Sequence, residues 1–232
     1  LVLEKPSDAF LIVYPGIAEK EGKFRVRFYR EKEVEASLVS MSRRDNLSVL
    51  SVPLSAFSDK ELEKVAVIKR GNSRLLQRGE TLVGIGSPSG QLYSTLISYV
   101  SYLSYEAPEV DRFMEEIAVQ GEKSGEGQVF YLDTNGAWVG FSAGEEASFP
   151  HLYGISDYLD SLEALSNGKS LAYLGLRVQN ATKSMVKLGV PEGIYISEVE
   201  EGSPAFSAGV QAGDILKKVD GKELPSVKDF EE

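Results

Sequence analysis

A mainly β protein that ends in a small α/β module is what this sequence predicts, on three observations. Short apolar runs, many with period-two alternation, dominate the first 145 residues, the pattern of strands that bury one face. Gly, Pro, Asn and Asp punctuate them, as in Tyr14-Pro15-Gly16 and Thr134-Asn135-Gly136, while helical periodicity is sparse. After Gly168 the texture changes to short strands mixed with a short helix. Many strands with few helices between them give an antiparallel barrel or sandwich. With 232 residues and 42% hydrophobic content, the chain can build one large core or two modest ones.

Strands are expected at Ala9 to Tyr14, Phe24 to Tyr29, Val34 to Val39, Leu47 to Val52, Val65 to Ile68 and Thr81 to Ile85. Three more are expected at Tyr93 to Tyr102, Gln128 to Leu132 and Ala137 to Phe141. Ser55 to Lys64 reads as a short helix of mixed charge. Ser156 to Leu165 reads as a second helix, capped by Ser156, striped by Leu159, Leu162 and Leu165 with Ile155 and Tyr158, and stopped by Asn167-Gly168. It falls where a linker between two domains is expected. Beyond it, Leu171 to Val178, Gly193 to Val199 and Asp214 to Val219 read as strands. Ser203-Pro204-Ala205 opens a helix with Pro in the first turn, and Asp220-Gly221 is a hairpin turn.

Composition excludes several classes of function. The net charge is −10 with no basic stripe, which argues against nucleic acid and anionic membrane surfaces. The absence of Cys removes disulfides, Cys-based zinc sites and thiol nucleophiles. A single His without a spaced second ligand makes a poor metal site, so no metal or other cofactor is expected. No apolar run approaches the roughly 18–20 residues that span a bilayer, and Leu1 to Lys5 reads as a strand rather than a signal peptide.

The C-terminal residues carry a resemblance. Tyr173-Leu174-Gly175-Leu176, Gly193-Ile194-Tyr195-Ile196, Gly202-Ser203-Pro204-Ala205 with Ala208-Gly209-Val210, Ala212-Gly213-Asp214-Ile215-Leu216 and Val219-Asp220-Gly221 follow in the order of a PDZ domain of the HtrA kind. A Leu-Gly-Leu loop leading into a strand turns successive N–H groups toward one point, where a peptide carboxylate docks while the peptide adds as an extra strand. Gly175 permits close approach because it has no Cβ. The resemblance implies that Leu174, Gly175 and Leu176 cradle the carboxylate and that the partners are protein or peptide C-termini. The sequence stops at Glu232 as Val227-Lys228-Asp229-Phe230 begins the groove-lining helix, so an incomplete PDZ groove is expected.

Upstream, Asn46-Leu47-Ser48-Val49-Leu50-Ser51-Val52 resembles the HtrA segment that carries the catalytic Asp. Gly79 to Gly90 resembles the stretch joining the two barrels of that family. Gly127-Gln128-Val129-Phe130 with Gly136-Ala137-Trp138-Val139-Gly140-Phe141 resembles the strand pair after the catalytic Ser. The order is similar to that of trypsin-like proteases of Gram-positive bacteria with a barrel–helix–PDZ arrangement. It implies a trypsin-like double β-barrel over residues 1–90 and 91–148, a linker helix over 149–168 and an incomplete PDZ domain over 169–232. The first strand of the N-terminal barrel is absent by this comparison. An extracytoplasmic location is implied, secreted or membrane-anchored through a segment outside this sequence.

The chemistry of that family needs an imidazole to take the serine proton and a carboxylate to hold the imidazole's tautomer. The His position falls on Ile17 and the Asp position on Asn46, with Asp45 adjacent. The Ser position falls on Ser124 or Gly125, depending on one inserted residue. Losing the base alone costs on the order of 10⁶ in turnover. No functional triad is therefore expected, and the reading is a pseudoprotease that binds peptides or partners through the PDZ domain and the barrel cleft. Two alternatives remain open: an active endopeptidase with His151 in play, and a homo-oligomeric scaffold, since HtrA barrels oligomerise.

The remaining motifs take plain readings. His151, beside Asp157 in the sequence, is expected to be a packed or surface residue. Gly71-Asn72-Ser73 is expected to be a turn, and Gly84-x-Gly86 is too short for a phosphate loop. Asp111 to Glu116 reads as a solvated acidic face, and the tyrosines from Tyr93 to Tyr105 as core packing.

Overall fold

The first sheet is buried along nearly the whole of Ala9–Pro15 and Leu47–Pro53 and alternates along Phe24–Phe28. In the computed structural model, which describes every residue except 20–21, 29–31, 88–93, 122–127, 143–150, 225 and 232, five strands form it. They are β1 (Val2–Glu4), β2 (Ala9–Pro15), β3 (Phe24–Phe28), β4 (Lys32–Ser42) and β5 (Leu47–Pro53), in the order β1-β2-β5-β4-β3 and all antiparallel. Phe10, Ile12, Val34, Leu50, Val52 and Phe57 make its core. Phe57 stands edge-on to both Phe10 and Phe28, at 5.4 and 4.9 Å between ring centroids, a favoured aromatic geometry.

The expected helix over Ser55 to Lys64 is broken in two: a 3₁₀ turn at Leu54–Ala56, then α1 (Asp59–Leu62). Glu61 reaches back to accept from the Ser58 N–H and hydroxyl, both at 2.8 Å, so a local bond restarts the helix at Ser58. Val65 to Ile68 forms no strand; the pairing begins later, at β6 (Lys69–Arg70).

A closed barrel follows. Its strands are β7 (Thr81–Gly86), β8 (Ser94–Glu109), β9 (Arg112–Gly121), β10 (Val129–Leu132), β11 (Ala137–Ser142) and β12 (His151–Gly154). The order β10-β7-β8-β9-β12-β11 closes through β10–β11 pairing, and β6 adds in parallel outside β11. Leu82, Leu96, Val100, Ile117, Val119, Val129, Tyr131 and Leu152 fill the interior. Two expectations are corrected here. Asp111 to Glu116 is not a solvated face: it opens β9, and Arg112 and Glu115 are buried. On β8 the inward set is Leu96, Ser98 and Val100, so Ile97 and Tyr99 face solvent instead of the core, and Tyr102 further along the strand is exposed as well.

The second long helix enters through a 3₁₀ turn at Ile155–Tyr158 and continues as α2 (Leu159–Ser166). Ser156 does not cap it, because its backbone N–H and hydroxyl are both engaged with the Asn72-Ser73 turn. Ile155, Tyr158, Leu162 and Leu165 are buried, and α2 packs against β4 and β5.

The C-terminal module contains β13 (Leu176–Asn180), α3 (Lys183–Lys187), β14 (Ile194–Val199), α4 (Pro204–Ser207), β15 (Ile215–Leu216), β16 (Lys218–Val219), β17 (Lys222–Glu223) and α5 (Lys228–Glu231). The strand expected over Leu171 to Val178 starts only at Leu176, because Gly175 takes a left-handed turn with φ 84°. Ser203 caps α4 by accepting from Phe206 N–H at 3.1 Å, with Pro204 at the first helical position. Asp220 and Gly221, both at positive φ, make the tight turn between β16 and β17. Two compact units result: residues 1–104 with 115–171, and residues 105–114 with 172–232. The tip of the β8–β9 hairpin thus belongs to the second unit.

Candidate functional site

The turn after β2 is built from backbone groups and one serine. Ser48 on β5 is fully buried; its hydroxyl donates to Gly16 C=O at 2.7 Å and accepts from Ala18 N–H at 2.9 Å. Gly16 N–H donates to Asn46 C=O at 2.7 Å. Ile17, held between these bonds, is 38% exposed. Asn46 is exposed and left-handed, with φ 49°, a conformation Asn tolerates better than most residues. Asp45 is turned inward beside Arg44, whose Nε lies 3.2 Å from its Oδ1, and Arg44 donates in turn to the Ser161 hydroxyl. Ser124 and Gly125 lie outside the described residues.

His151 begins β12, paired with Ala118 of β9. Its Nδ1 lies 2.7 Å from Glu116 Oε1 on that neighbouring strand, and both side chains are more than a third exposed. Asp157, its other candidate partner, is engaged elsewhere: it accepts from Arg74 at 2.9 Å and from Glu115 N–H at 2.6 Å. Beside it lies the buried Glu115 carboxyl, which belongs to the stretch expected to form a solvated acidic face. Burial raises its pKa, the Asp157 charge adds to the rise, and the Ser73 hydroxyl and Arg74 oppose it. Among the described residues no cluster of His, Asp and Glu is arranged to hold a metal ion.

In the second unit the loop Tyr173–Leu176 is fixed from both sides. Glu200 N–H donates to Gly175 C=O at 2.9 Å, Ala205 N–H donates to Leu174 C=O at 3.0 Å, and Tyr173 OH donates to Glu200. A Cβ on Gly175 would overlap the Ser203 side chain. With its carbonyls tied back, the loop points three N–H groups at one place, and a carboxylate fills it. Asp111 Oδ2 accepts from Leu174 N–H at 2.6 Å and from Gly175 N–H at 3.0 Å; Oδ1 accepts from Gly175 N–H at 3.0 Å and Leu176 N–H at 2.9 Å. Asp111 lies 63 residues before Leu174 in the chain, too far for any local motif to reveal it.

Residues 172–232 match the PDZ domain family. Over 232 aligned residues the chain is 28% identical to a probable periplasmic serine endoprotease, DegP-like, of Pseudomonas fulva, covering 94% of this chain and 46% of that protein. It is 29% identical over 244 residues to the serine protease Do-like HtrA of Bacillus subtilis, covering 93% and 52%. The chain spans about half the length of these relatives. Among solved structures, the HtrA-type protease AlgW with a tripeptide superposes with a TM-score of 0.62 at 17% identity, covering 97% of this chain and 76% of that one. The same protease with a decapeptide gives 0.58 at 17% identity, covering 88% and 64%. By fold and by sequence the chain is HtrA-like, a trypsin-type barrel unit joined to a PDZ domain.

Proposed function

We propose that this chain binds protein or peptide C-termini through the Leu174–Leu176 loop and does not hydrolyse them. One observation carries the reading: three backbone N–H groups converge on a single carboxylate at the loop where HtrA-kind PDZ domains take a peptide terminus. Charge-assisted bonds from N–H groups to a carboxylate are among the stronger hydrogen bonds available to a protein. An extended peptide beside β13 would add to them as a further strand.

The non-hydrolytic half is supported by the distribution of imidazole. The sequence holds one histidine, on β12 beside Glu116, while the positions where the resemblance expects the His and the Asp carry Ile17 and Asn46. Relatives named as periplasmic support an extracytoplasmic location. Among the described residues no helix is long and apolar enough to cross a membrane.

Fluorophosphonate labelling and casein cleavage test the reading on the 232-residue chain. Neither should rise above a no-protein control, with or without a peptide bearing a free C-terminus. A labelling signal that vanishes in Ser124→Ala would overturn it.

A further inference from the structure

The carboxylate in the Leu174–Leu176 cradle belongs to the chain itself. We propose that the tip of the β8–β9 hairpin is an intramolecular ligand of the PDZ domain, with the Asp111 side chain standing in for a peptide α-carboxylate. An external C-terminus must displace it before binding. The inference rests on the reading of Leu174–Leu176 as a carboxylate cradle.

Three features distinguish this contact from an ordinary loop tether. Both carboxylate oxygens are used, so the group presents the charge and the paired acceptors that a chain terminus would present. The backbone follows: Val110 forms an antiparallel bridge with Arg177, and Asp111 N–H donates to Leu176 C=O at 2.7 Å. That is the start of strand addition to β13, the mode by which sheet edges bind extended peptides. Two residues beyond the carboxylate, Phe113 packs against the apolar cluster of Leu176, Val178, Ile194 and Ile196. Carboxylate, strand edge and apolar pocket are therefore engaged together by one short segment.

Other contacts hold that segment in place. The Arg177 guanidinium donates to Pro108 C=O at 2.9 Å and lies 3.2 Å from the Glu109 carboxylate. Asp111 itself is left-handed, with φ 57°, which lets the hairpin turn while its side chain enters the cradle. Asp is one of the few residues that take this conformation readily.

Three N–H groups cannot serve two carboxylates at once, and a second negative charge beside the first is repelled. Occupancy by Asp111 and by a peptide terminus is therefore mutually exclusive. Apparent affinity for peptide falls by the fraction of molecules in which the cradle is open.

The experiment uses the 232-residue chain and a fluorescein-labelled decapeptide ending in Gly-Ser-Val-Phe, either with a free α-carboxylate or as the amide, read by anisotropy. Asp111→Asn keeps size and tolerates the same φ, and it should bind the free-carboxylate peptide about tenfold or more tightly than the unaltered chain. The amide should bind neither. A second variant works in the opposite direction and needs no loss of structure. Val110→Cys with Arg177→Cys, in a chain without other cysteines, locks the segment onto β13. Its oxidised form should bind at least about tenfold more weakly than its own reduced form.

Equal affinity of Asp111→Asn and the unaltered chain, or of the oxidised and reduced forms of the double variant, overturns the inference and leaves the cradle reading intact. Absence of binding by every form, or equal binding of acid and amide, overturns the cradle reading and the inference with it.

Discussion

The turn at Pro15–Ala18 and the loop at Tyr173–Leu176 are both fixed by hydrogen bonds to their own backbone carbonyls, yet the chemistry expected of each rests on a different kind of group. In HtrA-like proteases the first region would owe its chemistry to one imidazole, a side-chain device. Here Ser48 shapes the turn through Gly16 and Ala18, and the position where the resemblance expects that imidazole carries Ile17. The chemistry proposed for the second region rests on N–H groups, which every residue but Pro supplies. Its side chains can drift as long as Gly175 keeps φ near 84° and the carbonyls stay tied to Glu200 and Ala205. A function written in side chains is removed by one substitution without loss of fold. A function written in the backbone survives until the backbone itself is moved.

The largest effect should come from moving it. Gly175→Ala places a Cβ against Ser203 at a φ that L-residues avoid. We expect it to cost about 3 kcal/mol in the second unit and to weaken binding of a free-carboxylate peptide by roughly 100-fold, read by calorimetry and anisotropy. The matched change in the other region, Ile17→Ala, removes an exposed side chain and should cost under about 1 kcal/mol. Equal costs at the two sites would break the contrast. Next in size is Ser48→Ala, which strips partners from the Gly16 carbonyl and the Ala18 N–H. Unfolding of the first unit should become easier by about 2 kcal/mol, with peptide affinity unchanged.

Short apolar runs made the strands of the first sheet legible, because β2 and β5 are buried along nearly their whole length and supply Phe10, Ile12, Leu50 and Val52 to its core. Such patterning failed at β9, where Glu115 and Glu116 interrupt it although Glu115 is buried. It also misplaced the β8 tyrosines, since alternation along a strand says which residues share a face but not which face is inward. At the candidate site, Gly175 and its neighbours were legible as a local motif of converging N–H groups. Asp111 was not, because its meaning depends on a long-range turn that no spacing rule encodes.

Glu115 offers a test of a titratable group that neither loop uses. Burial holds its folded-state pKa above the ordinary carboxylate value. A raised value means that its contribution is favourable when protonated, below the unfolded pKa of about 4.3, and is lost as pH rises through the folded value. Glu115→Gln is neutral at every pH and keeps the size of the side chain. Its Tm should exceed that of the unaltered chain at pH 7–8 by on the order of 2 °C, and the gain should vanish as pH falls toward 4. A gain that persists at pH 4, or a loss at pH 8, would show that the carboxylate is better satisfied than its burial implies.

The smallest effect should belong to His151→Ala, and its smallness sharpens the contrast most. The His151 side chain meets Glu116 on the adjacent strand with both groups more than a third exposed, and such pairs contribute about 0.5 kcal/mol. The backbone pairing with Ala118 stays in the β9–β12 ladder whatever side chain is present. Peptide anisotropy and fluorophosphonate labelling should therefore be unchanged. Were any hydrolytic signal to disappear with this imidazole, a proton acceptor would have been at work in the barrel unit, and the first region would have kept its chemistry by relocating it rather than losing it.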